Sequence, residues 1–380
     1  MPTLTDLRGV SAPAALSTTH AQVIRGRDAI LSAQPLLVEL ARLSQQPGAA
    51  DYIDYFLTQP YMGGKIPVLV LLTSAVTDSA SNLNPSEVLG AVVLHEYQFA
   101  RVPLNVFVTE DYAGERNVLA PASIRSALAL RAIEHLLSGG AHLVVLSLKD
   151  ADVEGQIPLP RHTSKPSTCS WSTTQRMLTR RLPLLSSYDA TLASLGAHTR
   201  RNLRYYRRRV EDQLQCTFVP DAQISEEQFI ALNRLCSYPT PDFVSKWRYQ
   251  TAHSVSGGLF AGIQSAAGDW LSIVGGRRYH RTTSIDWQMN QTRFSDLSLS
   301  TVMRSYLIEH EISQGSQTLL FEGGTPHSMQ HSFHSESVVD LIAARRTIPA
   351  QLLIHYAATI LPANNFLAQT LSHPDLVWRT

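Results

Sequence analysis

Between residues 257 and 324 the apolar and polar positions follow periods that predict a run of elements. Leu259, Phe260, Ala261, Gly262 and Ile263 form a short apolar run closed by the turn Ala266-Ala267-Gly268-Asp269. Residues 270–280 form a second run, and Gly275-Gly276 inside it marks a bulge that would bend the strand. In a third run, residues 282–290, Ile285, Trp287 and Met289 point one way while Ser284, Asp286, Gln288 and Asn290 point the other. One face suits a core, and the other offers a row of polar groups to a ligand. A loop over 291–299 then precedes a helix over 300–314, ended by Gly315, and an apolar strand over 318–322 stops at Gly323-Gly324. A strand, a loop of anion size, a helix and a strand make a phosphate-binding layout, because helix N-terminal amides and the dipole favour negative charge there.

The N-terminal half reads in the same order. Residues 1 to about 25 carry no strong pattern and are expected as a loosely attached arm. Leu36, Leu37, Leu40 and Leu43 have helical spacing, and Tyr52, Tyr55, Phe56 and Tyr61 lead to Gly63-Gly64-Lys65. That tripeptide lacks the upstream glycine and the following Ser or Thr of a P-loop, so it reads as a plain turn. Residues 67–74, 87–96 and 104–109 are predicted strands, 122–137 a helix and 143–148 a further strand. Ile133-Glu134-His135-Leu136-Leu137-Ser138-Gly139-Gly140 lines up with Ile308-Glu309-His310-Glu311-Ile312-Ser313-Gln314-Gly315, with five of eight positions identical. An identity at the same place in the same strand–helix–strand order predicts an internal duplication.

Composition refines this picture. At 380 residues the chain should hold two domains of roughly 150–200 residues each. A hydrophobic content of 44% and a charged content of 17% fit a globular chain. The net charge of +1 identifies no partner, so local clusters decide. Cys169, Cys216 and Cys236 are odd in number and lack zinc spacing, which points to a reducing compartment. With neither a secretory pattern at the start nor an apolar run long enough to cross a bilayer, the expectation is a cytoplasmic location. The expected division is an N-terminal unit over 1–153, a Pro-, Ser- and Thr-rich linker over 154–189, and a C-terminal unit over 190–380.

The densest charge lies in residues 192–215. Arg200, Arg201, Arg204, Arg207, Arg208 and Arg209 sit opposite an apolar stripe of Leu203, Tyr206, Val210 and Leu214, which predicts an amphipathic helix. Its back is either a solvated face or a grip on phosphate, acidic sugar or nucleic acid, since arginine offers paired donors. Further helices are expected over 226–236, 243–252 and 349–361.

His198-Thr199-Arg200-Arg201-Asn202-Leu203-Arg204, the strand 283–290, the helix 300–314 and the ending Leu320-Phe321-Glu322-Gly323-Gly324 together resemble the GNAT acyltransferase superfamily. The likeness is strongest to the exopolysaccharide or cellulose-biosynthesis acetyltransferase branch, related to the Fem-type tandem-GNAT peptidyltransferases. It covers about residues 190–335. The resemblance implies an α/β fold of tandem GNAT-like units, each a mixed, splayed β-sheet flanked by helices, with the N-terminal unit degenerate. It also implies an acyl-CoA donor (acetyl-CoA or longer) as co-substrate, no metal, and an amine or hydroxyl acceptor such as a sugar or cell-envelope precursor. Fem-type relatives use aminoacyl-tRNA, the only nucleic acid the reading allows.

The departures are local. The superfamily's donor loop reads Arg/Gln-x-x-Gly-x-Gly/Ala, and the nearest register here is Arg293-Phe294-Ser295-Asp296-Leu297-Ser298. Asp296 would repel a pyrophosphate. Either it points away, or the register shifts toward Ser298-Leu299-Ser300, or coenzyme A is not the donor. Where the branch tends to have a lysine after its final strand, this chain has Thr325-Pro326-His327.

By this reading Glu322 and Asp286 are the candidate bases, with Tyr279 and His280 as candidate proton donors. Arg293, Ser298, Leu299, Ser300 and Gln288 are the expected donor contacts. Arg200, Arg201, Arg204 and His327 are the expected substrate contacts. His327, His331 and His334 lack helical periodicity and a carboxylate partner at motif spacing, so they are assigned no metal. The competing reading is a non-catalytic pseudoenzyme that binds an anionic partner through the helix over 200–209.

Overall fold

A computed structural model describes residues 19–46, 65–74, 87–109, 116–150, 169–254, 257–322, 329, 332–360 and 366–371. In chain order these form β1 (His20–Arg25), α1 (Arg27–Ser32), α2 (Gln34–Leu43), β2 (Lys65–Thr73), β3 (Val88–Phe99), β4 (Val102–Val108), β5 (Val118–Leu119), α3 (Arg125–Ser138), β6 (Leu143–Lys149) and β7 (Cys169–Pro183). There follow α4 (Tyr188–Ser194), α5 (Ala197–Leu214), β8 (Thr217–Val219), α6 (Glu226–Arg234), α7 (Asp242–Ser254), β9 (Gly258–Gln264), β10 (Trp270–Tyr279) and β11 (Thr282–Asn290). The chain closes with α8 (Leu299–Ser313), β12 (Thr318–Phe321), β13 (His334–Arg345), α9 (Ile348–Ile360) and α10 (Phe366–Leu371).

Two compact units result. Unit 1 takes the described residues up to Leu178 and those from Glu336 onward, and unit 2 takes Thr179–Ser335. This departs from the expected sequential division. The supposed linker contains the whole of β7, and the C-terminal strand β13 and its helices belong with the N-terminal residues. The expected arm likewise contains β1, which pairs along β2.

Each unit is a mixed sheet between helices. In unit 1 the order is β1-β2-β3-β4-β6-β13. The first three pairings are antiparallel, β4–β6 is parallel, and β6–β13 is antiparallel. In unit 2 the order is β8-β9-β10-β11-β12-β7, with the same senses in the same sequence. The parallel pair in each unit is joined by a helix crossover, α3 or α8, as parallel pairing requires.

The duplication extends to single hydrogen bonds. At the end of α3 the amides of Gly139, Gly140 and Ala141 reach the carbonyls of His135, Leu137 and Leu136. At the end of α8 those of Gln314, Gly315 and Ser316 reach His310, Ile312 and Glu311. Gly140 and Gly315 both carry a positive φ, 108° and 83°, which lets the chain leave the helix toward the sheet.

The cores follow from the patterns. In unit 1, Val68, Val70, Val92 and Leu94 pack under Leu128, Ile133 and Leu136 of α3, while Val106, Val108 and Val145 face Ile354, Leu367 and Leu371. In unit 2, Leu259, Ala261, Ile263 and Val274 pack under α5 and α8. On the other face, Phe260, Ile273 and Met289 pack under Phe229 and Leu232 of α6 and Ala252 of α7.

The bulge forms where the glycines stand, but the extra residue is on the partner strand. Gly275 faces Trp287 and Gly276 faces Ile285, so Asp286 is the additional residue of β11. A one-residue insertion reverses every later side chain. Ile285 therefore packs with Val302 and Met303 of α8, whereas Trp287 and Met289 lie against Phe229 and Phe260 on the opposite face. The single polar row expected from Ser284 to Asn290 is split in two.

Gly276→Ala should be severely destabilising, because a Cβ there would stand 1.9 Å from the Ser284 carbonyl oxygen. A loss of about 3 kcal/mol or more is expected in urea unfolding. Gly196→Ala, whose Cβ would meet nothing within 4 Å, should cost about 1 kcal/mol or less.

Candidate active site

The candidate site is built where β11 and β12 stop pairing. Their parallel ladder runs from Thr282 opposite Thr318 to Ile285 opposite Phe321, and its last bond is from the Glu322 amide to the Ile285 carbonyl, 2.9 Å. Strand β11 continues along β10 as far as Asn290, where the Ser237 amide donates to the Asn290 carbonyl at 3.2 Å and Cys236 bridges Gln291; between Ile285 and Asn290 no strand among the described residues pairs with that other edge. Asp286 and Glu322 thus flank the point at which the ladder ends.

Both carboxylates are held by arginines that the sequence reading did not single out. Asp286 accepts from Nη1 of Arg277 at 3.1 Å and from the Ser284 hydroxyl at 2.7 Å. The guanidinium of Arg277 is buried and lies 5.7 Å from the ring of Tyr279, also buried. Asp286 and Tyr279 therefore share one cation. Glu322 accepts from Nη1 of Arg180 on β7. His280 is apart from this group, exposed in the β10–β11 turn with a φ of 52°. Gln288 lies on the other face of β11, bonded to Asn290 at 2.9 Å and near the hydroxyl of Ser272 at 3.4 Å. The bulge separates it from Asp286.

The loop before α8 is a 3-10 turn, Thr292–Leu297. Arg293 turns to Asp269 in the β9–β10 connection at 3.2 Å and stacks on Phe294 at 4.5 Å. Asp296 turns to Arg209 of α5, 3.3 Å away. Of the three alternatives for Asp296, this geometry favours a carboxylate directed to α5. Ser298 adopts the left-handed conformation (φ 51°, ψ 48°), and its carbonyl accepts from Thr301 and Val302 to start α8. Leu299 is buried in the core, while Ser300 is half-buried. His327 and His331 lie outside the described residues. Among those described, no group of three His, Cys, Asp or Glu is arranged to hold a metal, and no helix is long and apolar enough to cross a membrane.

Helix α5 packs through its expected stripe, with Leu203 and Val210 buried and Tyr206 and Leu214 partly buried; Thr199, outside the stripe, is buried as well. Its centre is fixed by Arg207, which bonds Glu211 at 3.0 Å and Glu309 at 2.6 Å and lies 4.2 Å from the ring of Tyr306. Burial works against the Arg207 charge, but the bonds to Glu211 and Glu309 outweigh it and raise its affinity for the proton. Burial, then the bond to Glu211, pushes the Tyr306 phenol up as well. Arg204 pairs with Asp189 at 2.9 Å, and Arg200 lies 3.4 Å from the Ala193 carbonyl. Arg200, Arg201 and Arg204 share a surface cavity of about 440 Å³ with Ala197, Tyr205 and Arg208. This group forms a second locus on α5, and no hydrogen bond or ion pair among the described residues links it to Asp286 or Glu322.

The aligned position in unit 1 is occupied by other groups. In the alignment that sets Ile133 on Ile308, Ser147 stands where unit 2 has Glu322. Its hydroxyl donates to buried Asp340 at 2.6 Å, and Asp340 also accepts from Arg176 at 2.5 and 2.8 Å. The Asn117 side chain donates to the Ser147 carbonyl, and the Asn117 carbonyl accepts from Val93 on β3. Asn117, Ser147 and Asp340 are all fully buried, so the position is filled.

Arg304 on α8 was also missed. It is the lone charge among Val302, Met303, Ser305, Tyr306, Leu307 and Ile308, all buried. Its guanidinium lies 5.8 Å from the ring of Phe321, the last residue of β12. Among the described residues it has no acidic partner, and burial pushes its pKa down to about 10. A charge flanked in sequence by buried residues was the available signal.

No family model and no curated protein matches the chain. Several solved structures are similar at low identity. FemX is 9% identical with a TM-score of 0.48, covering 75% of this chain and 90% of its own. A tandem GNAT protein from the clavulanic acid biosynthesis pathway is 10% identical with a TM-score of 0.45, covering 86% and 98%. L-PGS from Bacillus licheniformis is 11% identical with a TM-score of 0.42, covering 69% and 84%. Identities this low do not bear on activity.

A buried cation without an acid weakens the fold while it is charged. For Arg304 the penalty applies below about pH 10 and is relieved as pH rises from there toward the ordinary 12.5. Arg304→Met should therefore raise Tm at neutral pH by a few degrees in a calorimetric scan. A lowered Tm would instead make Arg304 a structural cation.

Proposed function

We propose that the chain is an acyltransferase whose unit 2 moves an acyl group from an acyl-CoA-type donor to an amine or hydroxyl. The observation that carries this reading is the early end of the β11–β12 ladder, with a carboxylate on either side, at a place filled in unit 1. The sequence resemblance to GNAT acyltransferases supports it. Unit 1 is then a degenerate partner that contributes structure. A sugar or cell-envelope precursor in the cytoplasm is the acceptor class that the resemblance favours.

The donor's amide arm hydrogen-bonds the open edge of β11, and its phosphates approach the start of α8, where the dipole favours an anion. The acceptor's nitrogen or oxygen attacks the thioester carbonyl, giving a tetrahedral intermediate, and the C–S bond then breaks. Glu322, oriented by Arg180, takes the acceptor's proton directly or through one water. Tyr279 returns a proton to the departing thiolate. Asp286, fixed by Arg277 and Ser284, is the second candidate base.

The Arg293–Asp269 pair removes one expected phosphate contact, which favours a donor held by backbone groups over one held by that side chain. The same feature supports a second reading, a pseudoenzyme that uses the arginine-lined cavity of α5 for an anionic partner. Aminoacyl-tRNA is the nucleic-acid form that partner would take.

Thiol release from a panel of acyl-CoAs, with amine and hydroxyl acceptors, separates the two. Glu322→Gln should lower the rate by ~10²–10⁴ while donor affinity is kept. Full activity in that variant would make Glu322 structural and leave Asp286 as base. No turnover and no donor binding by the wild type would favour the pseudoenzyme.

A further inference from the structure

Helix α7 presents polar groups that the reaction above does not use. The indole Nε1 of Trp247 and the hydroxyl of Thr251 are buried without a hydrogen-bond partner. Arg248 is half-buried, and no hydrogen bond or ion pair engages its guanidinium among the described residues. The neighbouring Lys246 is occupied by Glu226 at 3.1 Å, and the carboxylate of Asp286 by Arg277 and Ser284. Among the described residues, the one titratable group acting on Arg248 is the thiol of Cys236. Burial lowers the proton affinity of Arg248 with no acid to offset it.

These groups lie on one side of the helix. At 3.6 residues per turn, Trp247, Thr251 and Arg248 fall within an arc of about 100°. Ser245, Tyr249 and Ala252 form the adjoining core side, with Ser245 and Ala252 buried and the Tyr249 hydroxyl bonded to the Ile224 carbonyl. Arg248 lies 5.9 Å from the ring of Trp287 on β11. That ring covers Gly275, where a Cβ would come within 2.0 Å of it. Arg248 on this flank of α7 therefore reaches β11 at Trp287, on the face opposite α8.

An indole N–H and a guanidinium only donate, and a hydroxyl can donate too. Two groups that only donate, one of them cationic, together with a hydroxyl that can donate, suit an oxyanion. We infer that Arg248, Trp247 and Thr251 form a receptor for a carboxylate or phosphate carried by the acceptor substrate. This rests on the acyl-transfer reading of unit 2 and adds to it: the acceptor is an anionic amine or alcohol that enters from the α7 face, opposite the donor's helix.

The test uses the full chain and two probes, inorganic phosphate and acetate, titrated separately by calorimetry and followed by the fluorescence of Trp247 and Trp287. Saturable binding of one probe is expected, and which probe binds tells phosphate from carboxylate. Arg248→Met should weaken it by about tenfold to a hundredfold, as expected for a lost charge-assisted hydrogen bond. Trp247→Phe, which keeps the ring and removes the N–H, should weaken it less and guards against a folding defect in the first variant. Saturable binding unchanged in both variants, or no binding of either probe to the wild type, would overturn the receptor. Probe binding does not depend on catalysis and should persist in Glu322→Gln. Probe binding without acyl transfer would overturn the proposed reaction and the acceptor assignment but keep the anion site. Transfer without probe binding would overturn the anion site alone. With transfer established, Arg248→Met should raise KM for an acceptor bearing the anion and leave its uncharged ester unaffected.

Discussion

A backbone N–H or C=O removed from water must find a partner, and a strand edge concentrates such groups in a row. In unit 2, β11 keeps its ladder to β10 as far as Asn290, while β12 leaves it after Ile285. Among the described residues, the stretch of edge without a neighbouring strand follows from the length of the parallel pairing and needs no special side chain. Two things fix its position. The β11 bulge at Asp286 requires Gly275 and Gly276 opposite, because Trp287 and the Ser284 carbonyl occupy the space of their side chains. The crossover helix α8 brings β12 back beside Thr282 rather than farther along. At the aligned position in unit 1 the Asn117 side chain donates to the Ser147 carbonyl, and the Ser147 hydroxyl joins the buried Asp340–Arg176 pair.

Solvent exposure separates two kinds of arginine. The exposed pairs on α5, Arg204–Asp189 and Arg209–Asp296, contribute little, since such pairs are worth about 0–1 kcal/mol. The helix is held by Leu203 and Val210 and by the partly buried Arg207, whose bonds to Glu211 and Glu309 tie α5 to α8. Arg304 and Arg248 are the reverse case. Each is desolvated beside an aromatic ring with no acidic partner among the described residues, and a ring at more than 5 Å offsets only part of that cost. Both lie next to the strands that bound the opening, Arg304 by Phe321 of β12 and Arg248 by Trp287 of β11.

Much of unit 2 was legible because alternation and helical spacing are local. Strands β9 to β12 and helix α8 fall within a residue or two of their expected bounds. The repeated Ile-Glu-His helix end marked a real duplication, since the same hydrogen bonds close α3 and α8. Three features were not legible. β7 is polar and irregular in sequence, so the pairing that makes it a strand comes from its sheet neighbours, β13 and β12, rather than from its own pattern. The division of the polar row on β11 depends on which of two paired strands carries the extra residue, and the glycines marked only the location. The partners of Asp286, Glu322 and Asp296 are arginines distant in sequence, and spacing says nothing about them.

On the proposed acyl-transfer reading, unit 2 takes a donor and unit 1 does not. Calorimetric titration of an acyl-CoA into the full chain tests this through the stoichiometry. One molecule bound per chain is expected. Two per chain would mean that unit 1 takes a donor as well, and none would mean that the edge of β11 is not a donor site.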